Sequence, residues 1–339
     1  MKSEILALLR EKMRGGNTPG ERQEYISGQE ICSRFGVSRT AVWKVMNQLK
    51  EEGYEIEAVQ NKGYCLKASP DVVGEDEIKS RFDGRGKGHW AGSRLMYYPE
   101  TGSTNTDAKK AAEEGAPEGT LVVTDCQNTG RGRRGRNWSS PKGCNLYFTL
   151  LLRPDCRPEQ ACMLTLVMAI AAAEAVTELG VSAGIKWPND IVAHGKKICG
   201  ILTEMSAEPD YIHYVVIGCG INVNQKDFPE EIRETATSLF LEKGERITRS
   251  ALLLSIMDHF ETAYAAFRET WDLTALLPAY HSFLLNKDAR VRVLDPKGEY
   301  GGTARGINKE GELLVEKENG ELTRVYAGEV SVRGVYGYV

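Results

Sequence analysis

The residues with the most distinctive chemical potential form an arginine- and glycine-rich stretch near the middle of the chain. Within QNTGRGRRGRNW, residues 127–138, four arginines are interspersed with three glycines: Arg131, Arg133, Arg134 and Arg136. Glycine lets the backbone approach a ligand closely, and guanidinium groups match phosphate and carboxylate oxygens bidentately. The stretch therefore suits an anion. Three interpretations stay open: contact with a nucleic acid, binding of a phosphorylated small molecule, or a solvated surface loop.

The surroundings of this loop exclude several common nucleotide-binding loops. TLVVTDCQ (120–127) and NLYFTLLLRP (145–154) predict strands on either side, unlike the repeated RGG tracts of disordered RNA binders. The pattern G-x-x-x-x-G-K-[ST] does not occur, and no G-x-G-x-x-G stands between a strand and a helix. Trp138, directly after the loop, has a ring on which a base can stack.

Three further motifs follow at the ends of predicted strands. They are KWPND with Lys186 and Asp190, KKICGIL with Lys197 and Gly200, and GCGIN with Gly218, Gly220 and Asn222. Each has an ordinary explanation, since a strand-end lysine is usually solvated and a glycine pair usually marks a turn. Their convergence at strand ends of one sheet favours a binding site.

The elements that position these motifs have an α/β pattern. Strands are predicted at 184–187, 197–205 and 211–224, a long buried helix at 158–179 and an amphipathic helix at 249–268. From residue 289 onward, the segments RVRVLD, GGTARGI, LLVEK and LTRVYAGEVSV are separated by turns at 296–298, 309–311 and 318–320. This spacing predicts a small β-barrel.

The first 68 residues form a separate module, and a linker near ASPDVVGEDE is predicted between it and the central region. A helix is predicted over residues 1–13 and ends at the glycine-rich GGNTPGE. Ser27 with Glu30 predicts a capping box for a second helix, and Ser38 caps a third, SRTAVWKVMNQLKEEG. EIEAVQNKGYCL then predicts a two-stranded wing. A helix-turn-helix explains this pattern better than a plain three-helix bundle.

Charge supports local DNA binding by this module. It carries 11 lysines and arginines against 9 acidic residues, whereas the rest of the chain carries 32 against 38 and the whole has a net charge of −4. The chain is thus no general nucleic-acid coat protein. Residues at the start of a recognition helix reach bases and phosphates. The candidates, with one lysine at the wing tip, are Ser38, Arg39, Thr40, Lys44, Asn47 and Lys62.

Location follows from features that the sequence lacks. The eight cysteines form no C-x-x-C pair, which favours reduced thiols in the cytoplasm over a zinc site. The N-terminus is not patterned as a signal peptide. The most apolar run, 161–176, contains Glu174 and is shorter than the roughly 20 residues that span a bilayer. We expect a core helix there and no membrane partner.

The motifs together resemble one family. TGSTN (101–105), GRGRRGRNW, KWPND, KKICGIL and GCGINVN closely resemble the biotin protein ligases. With the N-terminal module, the whole chain resembles the bifunctional form that also represses the biotin operon. The resemblance implies an α+β multidomain fold. Its domains would be a winged helix-turn-helix at 1–68, a catalytic α/β domain with a mixed sheet at 69–283, and an SH3-like β-barrel at 284–339.

The activity that the resemblance implies has two steps. Biotin and ATP give biotinyl-5′-AMP and pyrophosphate, and biotin then passes to a lysine of the biotin carboxyl carrier protein of acetyl-CoA carboxylase. Binding of biotinyl-AMP would order the arginine- and glycine-rich segment 127–138, here called the Arg-Gly loop. It would also pair two subunits, so that a homodimer binds operator DNA. Alternatives are a lipoate-type ligase, a biotin-sensing repressor without ligase activity, and an arginine-rich RNA binder.

The resemblance also assigns roles to residues. Those expected to bind biotin are Ser103, Thr104, Asn105, Gln127, Arg131, Gly132, Arg133, Lys197, Gly200, Gly218 and Gly220. Arg133, Lys186 and Lys197 are the expected catalytic residues. ATP would contact Arg136, Trp138, Lys186 and Asn222. Asp190 is the candidate ligand for Mg²⁺, which prefers carboxylate oxygen.

Overall fold

A computed structural model describes residues 1–14, 24–295, 298–326 and 331–334 of the chain. The chain divides into two compact units, Met1–His89 with Thr248–Ala251, and Trp90–Ile247 with Leu252–Val339. The segment GGNTPGE and the turn residues 296–297 lie outside the described residues. The domain boundaries at residues 68 and 283 stay predictions.

The first unit contains the predicted helices and wing. Its elements are α1 (Lys2–Arg14), α2 (Gly28–Phe35), α3 (Arg39–Glu51), β1 (Glu55–Val59), β2 (Gly63–Ala68) and α4 (Glu75–Phe82). Ser27 and Ser38 both cap their helices: Ser27 Oγ accepts from Glu30 N at 3.0 Å, and Ser38 Oγ accepts from Ala41 N at 3.2 Å. Of the capping box predicted for Ser27, the described residues show this bond and not the return bond from the Glu30 side chain. The apolar stripe of α3, which includes Val45 and Leu49, is buried in the core of this unit.

The wing is joined to the strand-like segment before α2. Tyr64 and Ile26 exchange two backbone hydrogen bonds of 2.9 Å each. Gly63 is needed at this junction, because its φ is +112° and a Cβ there would lie 2.0 Å from Ile26 O. Lys62 therefore stands at the tip of a hairpin whose base is fixed to the helices.

Helix α4 was not predicted, since ASPDVVGEDE was interpreted as a linker. Three acidic residues in its first turn stabilise its N-terminus. Its Glu77 is buried and accepts hydrogen bonds from Arg10 of α1 at 2.5 Å, Arg81 at 2.8 Å and Ser250 at 2.7 Å. Burial alone would raise the pKa of Glu77, but the two guanidinium groups outweigh it and lower the pKa.

Replacing Glu77 by glutamine is expected to lower the stability of the first unit by about 3 kcal/mol, because it leaves two buried guanidinium groups without their counterion. The folded-state pKa is depressed, so this stabilisation is present above the ordinary value of 4.5 and is lost as pH falls through the folded-state value. Hydrogen exchange of α1 amides in the full chain measures it. Glu75→Gln, an exposed change on the same helix, serves as the control. Equal protection in both variants would contradict the prediction.

The second unit contains the remaining elements. They are β3 (Arg94–Tyr98), α5 (Thr104–Glu113), β4 (Thr120–Thr124), β5 (Leu146–Leu152), α6 (Pro158–Ala161), α7 (Leu164–Glu178), β6 (Gly184–Lys186), β7 (Asp190–Ala193), β8 (Lys196–Glu208), β9 (Tyr211–Ile221), α8 (Leu239–Lys243), α9 (Arg249–Thr270), α10 (Leu277–Phe283), β10 (Arg290–Leu294), β11 (Tyr300–Ile307), β12 (Leu313–Glu316), β13 (Leu322–Val325) and β14 (Ser331–Gly334). The first three residues of α9 belong to the first unit.

A seven-stranded mixed sheet, as predicted, forms the centre of this unit. Its order is β3-β4-β5-β9-β8-β7-β6, with β3 and β4 parallel and every other pair antiparallel. Helix α5 packs on it through Ala108, Ala111 and Ala112. The predicted helix at 158–179 is two helices, α6 and α7. Residues Pro158–Glu178 are long and apolar enough to cross a membrane, but 72% of the most apolar window is buried, which agrees with a core helix.

The C-terminal segment forms a five-stranded antiparallel sheet in the order β13-β12-β11-β10-β14. The stretch LTRVYAGEVSV, interpreted as one strand, contributes both β13 and β14, and residues 327–330 between them lie outside the described residues. Trp187 joins the large sheet to this region: its backbone N donates to Asn286 Oδ1 at 2.8 Å and its Nε1 to Gly311 O at 3.0 Å. None of the eight cysteines, all within the described ranges, forms a disulfide.

Candidate active site

A cavity of about 750 Å³ opens in the second unit where the sequence motifs meet. It is lined by the start of α5, the Arg-Gly loop, and residues of β6 to β9. Every residue predicted to contact biotin, ATP or magnesium lines it: Ser103, Thr104, Asn105, Gln127, Arg131, Gly132, Arg133, Arg136, Trp138, Lys186, Asp190, Lys197, Gly200, Gly218, Gly220 and Asn222. The motifs thus converge as expected, while the individual roles stay predictions.

One end of the cavity is uncharged and polar. Thr104 and Asn105 lie in the first turn of α5, directly after Ser103 at its N-cap position. Gln127 Oε1 accepts from Thr104 N at 3.0 Å, and Gln127 Nε2 donates to Ser140 Oγ at 3.0 Å. These contacts fix the side-chain amide of Gln127 beside the start of the helix.

Two glycines of the sheet make room for Asn105 and Trp138. A Cβ on Gly218 would lie 2.0 Å from Asn105 Oδ1, and a Cβ on Gly220 would lie 2.3 Å from Trp138 Nε1. A Cβ on Gly200 would lie 3.0 Å from Cζ3 of the same indole ring. The space that these glycines leave, expected for biotin's rings and tail, is thus occupied in part by two side chains of the protein itself.

The Arg-Gly loop folds back on itself. Gly132 N donates to Arg136 O at 2.7 Å, and Arg131 forms a β-bridge with Asn137. Arg134 adopts a left-handed conformation with φ at +57°. Such a conformation is uncommon for a residue with a Cβ, and it is frequent at ligand sites.

Arg133 is the half-buried arginine of this loop. Its Nη1 donates to Asn189 Oδ1 at 3.1 Å, so it lies against the KWPND turn. Burial lowers the pKa of Arg133, whereas Asp190 raises it. A guanidinium group stays charged despite such a shift. The cavity wall therefore carries a fixed, partly desolvated positive charge.

Lys186 and Lys197 stand on β6 and β8, the two strands that flank β7. Lys186 pairs in register with Asp190, and Asp190 with Gly200, so β6, β7 and β8 present them side by side. Lys197 Nζ lies 2.5 Å from Asp190 Oδ1 and 5.2 Å from the centre of the Trp138 ring. Lys186 is buried, with 7% of its surface exposed.

Trp138 lines the cavity with its indole ring. The ring lies against Gly200 of β8 and Gly220 of β9, and the ammonium group of Lys197 lies over it. Its buried Nε1 has no hydrogen-bond partner among the residues that the structure describes. A buried N–H is costly without an acceptor, so this atom suits a ligand oxygen or nitrogen.

Asn222, predicted to contact ATP, also holds neighbouring backbone segments together. Its Nδ2 donates to Thr237 O at 3.0 Å and its N to Ile198 O at 2.8 Å, which fastens the segment after β9 to the sheet. This segment lines the cavity with two apolar side chains, Phe228 and Ile232, which belong to none of the motifs. They follow GCGINVN within a stretch without helical or strand periodicity, and only their position after that motif could have indicated them.

The predicted DNA-contacting residues lie on the exposed face of α3 and at the wing tip. The opposite face of α3 is buried. Arg39 donates to Gln29 Oε1 of α2 at 3.1 Å, which links the two helices. Trp43, on the same helix, is 58% exposed. Lys62 Nζ lies 5.8 Å from the centre of the Tyr25 ring, so its ammonium group is placed over a residue of the segment before α2.

Comparison with known proteins identifies the family. Three family models match: the biotin/lipoate A/B protein ligase family over residues 97–222, an HTH domain over 21–65, and the biotin protein ligase C terminal domain over 289–333. The chain is 41% identical to the bifunctional ligase/repressor BirA of Bacillus subtilis over 91% of its own length and 94% of that protein. The chain belongs to the family of bifunctional ligase/repressors. The resemblance stated from its motifs is confirmed.

Two further relatives of this ligase/repressor family cover a smaller share of the chain. The biotin–[acetyl-CoA-carboxylase] ligase of Mycobacterium tuberculosis is 32% identical over 76% of this chain and 94% of that protein. The structure of the biotin protein ligase from Aquifex aeolicus in complex with biotin and ATP is 32% identical, with a TM-score of 0.63 over 71% of this chain and 99% of that one. The predicted ligase fold is thereby confirmed.

Proposed function

We propose that this chain is an ATP-dependent biotin protein ligase that also represses transcription of biotin genes. The observation that carries the proposal is that one cavity contains both an uncharged polar end and a cluster of cations. The chain is also similar to a ligase/repressor over 91% of its length. Biotin has matching parts, since its ureido ring is polar and uncharged and its carboxylate is an anion. The eight reduced cysteines fit a cytoplasmic location.

The first step brings two anions together. An oxygen of the biotin carboxylate attacks the α-phosphorus of ATP, the new O–P bond forms, and pyrophosphate leaves. The chemistry needs positive charge near both groups and the exclusion of water. Arg133 and Lys197 line the same cavity and provide that charge. Because Asp190 holds Lys197 in place before substrate arrives, little reorganisation accompanies binding.

The nucleotide occupies the side of the cavity with aromatic and apolar groups. We place adenosine near Trp138, Phe228 and Ile232, and the phosphates near Lys186 and Arg136. An adenine ring gains from apolar contact and from stacking. The polar end with Ser103, Thr104, Asn105 and Gln127 takes the ureido ring, with Arg131 and Gly132 closing over the substrate.

The donor set at Asp190 does not fit a protein magnesium site. Its carboxylate already contacts Lys197 at 2.5 Å and lies in the field of Arg133. To bind magnesium together with substrate phosphates, the usual arrangement in proteins, this carboxylate would first have to give up its lysine. Asp190 serves as the counterion of Lys197, and magnesium belongs to the nucleotide substrate.

In the second step the neutral ε-amine of a carrier-domain lysine attacks the carbonyl carbon of the mixed anhydride, an amide bond forms and AMP leaves. Orientation within the complex accelerates this attack without a protein nucleophile. The acceptor is the biotin carboxyl carrier protein, in agreement with the Mycobacterium tuberculosis relative, a ligase for acetyl-CoA carboxylase.

One experiment tests the ligase proposal directly. The chain is incubated with biotin, MgATP and a biotin carboxyl carrier domain, and the carrier is examined by intact mass. A mass increase of one biotin per carrier supports the proposal. Modification with lipoate in place of biotin would favour a lipoate-type ligase, and binding of biotin without modification would favour a sensing repressor that lacks ligase activity.

For repression, we propose that biotinyl-AMP orders the Arg-Gly loop and pairs two subunits, so that two winged helix-turn-helix modules bind a palindromic operator. Glycine residues lose much conformational entropy when a loop becomes ordered. We therefore expect the loop to become ordered only when a bound ligand offsets that cost. Two recognition helices in one dimer match two half-sites. Sedimentation that gives the same association constant with and without biotinyl-AMP would contradict this proposal.

Lys62→Ala is expected to weaken binding to DNA of any sequence and to reduce the slope of log K against log salt by about 1, because a wing-tip lysine neutralises a phosphate. The probes are a palindromic duplex that the full chain selects from a random pool and an unrelated duplex. Lys12→Ala, which removes the same charge from α1, where Lys12 pairs with Glu24 at 2.9 Å, is the control. Equal salt slopes in both variants would count against a role for Lys62.

Strong RNA binding that Arg133→Ala abolishes would favour the RNA-binder alternative.

A further inference from the structure

The polar end of the cavity contains hydrogen bonds whose donors and acceptors are fixed by the protein. Asn105 Nδ2 donates to Leu202 O at 3.2 Å and to Glu204 Oε2 at 2.8 Å. A carbonyl and an ionised carboxylate can only accept, so the nitrogen of the amide must face them. Asn105 Oδ1 therefore points away from Glu204.

Glu204 stays ionised in this position. Burial alone would raise its pKa, but the hydrogen bonds from Lys109 and Asn105 outweigh burial and lower it. Lys109 also forms an ion pair with Glu204. The carboxylate is therefore an acceptor at neutral pH, and the orientation of Asn105 follows from it.

Thr149 on β5 is the hydrogen-bond partner of the side-chain oxygen of Asn105. It is completely buried and lies opposite Gly218 of β9. Its Oγ1 is 2.7 Å from Asn105 Oδ1 and 2.8 Å from Thr104 Oγ1. The hydroxyl has one hydrogen, and Asn105 Oδ1 can only accept. The hydrogen of Thr149 therefore goes to Asn105.

The proton of Thr104 is fixed as a consequence. With the hydrogen of Thr149 on Asn105, the 2.8 Å contact between the two hydroxyl oxygens requires Thr104 Oγ1 to donate to Thr149 Oγ1, while Gln127 Oε1 lies farther away at 3.3 Å. The hydrogen of Thr104 is thus used inside the protein, and its oxygen presents a lone pair to a ligand. Thr104 Oγ1 and Asn105 Oδ1 thus become two adjacent acceptors.

Gln127 supplies the complementary donor. Its Oε1 accepts from Thr104 N, so its Nε2 faces Ser140 and donates one hydrogen to Oγ there. Ser140 in turn donates to Trp138 O at 3.2 Å. The second hydrogen of Gln127 Nε2 is left for a ligand. Two acceptors and one donor complement a cyclic urea, which has two N–H groups and one carbonyl.

We propose that Thr149 is a positioning residue that gives the head-group site its specificity for cyclic ureas, with Glu204 as its counterpart on the other side of Asn105. The inference rests on the proposed function, since it concerns the same biotin site. Neither residue belongs to the motifs found in the sequence. Thr149 acts through Thr104 and Asn105: its hydrogen holds Asn105 Oδ1 in place, and its oxygen takes the hydrogen of Thr104, so that Thr104 Oγ1 can only accept from a ligand.

The test compares Thr149→Val with Thr149→Ser in the full chain. Valine has nearly the same shape without the hydroxyl, and serine restores it. We expect the KM for biotin in pyrophosphate release to rise about 10- to 100-fold in Thr149→Val, because a polar contact of the buried site is lost. The KM for ATP and kcat should stay within about twofold of wild type, and Thr149→Ser should recover most of the biotin KM.

A second readout separates head-group recognition from general damage to the fold. Biotin methylated on one ureido nitrogen lacks an N–H, so the wild-type chain should bind it much more weakly than biotin. Thr149→Val should reduce this discrimination at least several-fold, as measured by calorimetric titration, and desthiobiotin, which keeps the urea, should lose the same factor as biotin. If the valine variant does not fold, Thr149→Cys provides a weak S–H donor of similar size and should give an intermediate affinity.

The outcomes distinguish this inference from the ligase proposal. A wild-type chain that binds biotin without turnover contradicts the ligase proposal but leaves the titrations decisive for Thr149. A chain that turns over biotin with the same KM in wild type and Thr149→Val overturns the inference. So does a parallel rise of the KM for biotin and ATP, which would indicate a merely structural residue. A wild-type chain that does not bind biotin overturns both.

Discussion

Lys197→Ala is expected to slow biotin-dependent release of pyrophosphate by about 100- to 1,000-fold, the usual cost of removing a group that stabilises developing charge. The lysine is held at the centre of the site by Asp190 on one side and the Trp138 ring on the other. Its ammonium group is thus poised between the expected positions of the biotin carboxylate and the α-phosphate. Pyrophosphate release under saturating biotin and ATP measures the effect.

The neighbouring lysine provides a matched control. Lys196 contacts the backbone oxygen of Arg233 at 3.3 Å, so Lys196→Ala removes the same charge without touching Asp190. The double variant Lys197→Ala with Asp190→Asn removes the carboxylate that the single variant leaves uncompensated. It should be as slow as the single variant if the lysine acts on the substrate. Recovery of the rate in the double variant would instead show that the unpaired carboxylate caused the loss.

Gly218→Ala is expected to weaken biotin binding by about 10- to 100-fold, because displacing Asn105 leaves polar groups of the buried head-group site without partners. A Cβ at this position would lie 2.0 Å from Asn105 Oδ1 and 2.9 Å from its Cγ. The side chain of Asn105 has to rotate away, and the hydrogen bonds to Thr149 and Glu204 break with it. Calorimetric titration of the full chain with biotin measures the change.

Two variants show whether the loss comes from this contact. Gly301→Ala adds the same methyl group to a strand of the C-terminal sheet, where the nearest atom is 3.9 Å away, and should leave biotin affinity unchanged. Adding Asn105→Ala to Gly218→Ala removes the clash, so the double variant should bind biotin as Asn105→Ala alone does. A double variant that is much weaker than Asn105→Ala would show that the methyl group disturbs more than the amide.

The sequence predicted the motifs of the site better than its supporting residues. Lys197, Gly218 and Trp138 stand in short patterns of glycine and charge that are visible in the local sequence. Thr149 does not, because a threonine within NLYFTLLLRP is indistinguishable from an ordinary β-branched residue of a buried strand. Its importance comes from the register that sets it opposite Gly218, and register between distant strands is not visible in local sequence.

The fold was predictable to a similar extent. Long apolar segments such as β5 and β9 were found, and the capped helices α2 and α3 were placed within a residue or two of their observed ends. Helix α5 was missed although it begins at a recognised motif, because its buried face consists of alanines, which give little contrast with the polar positions. The N-terminus of α4 was assigned to a linker because its acidic first turn resembles a solvated segment.

The hydrogen bond from Trp187 Nε1 to Gly311 O has a consequence for how this chain can be divided. Trp187 stands in the same five-residue motif as Lys186 and Asp190, and it is 1% exposed. A truncation before residue 289 would leave a buried indole N–H without its acceptor and open the underside of that motif to water. The C-terminal region therefore supports the motif that contains Lys186 and Asp190. A ligase shortened to end at α10 should have lower activity than the full chain.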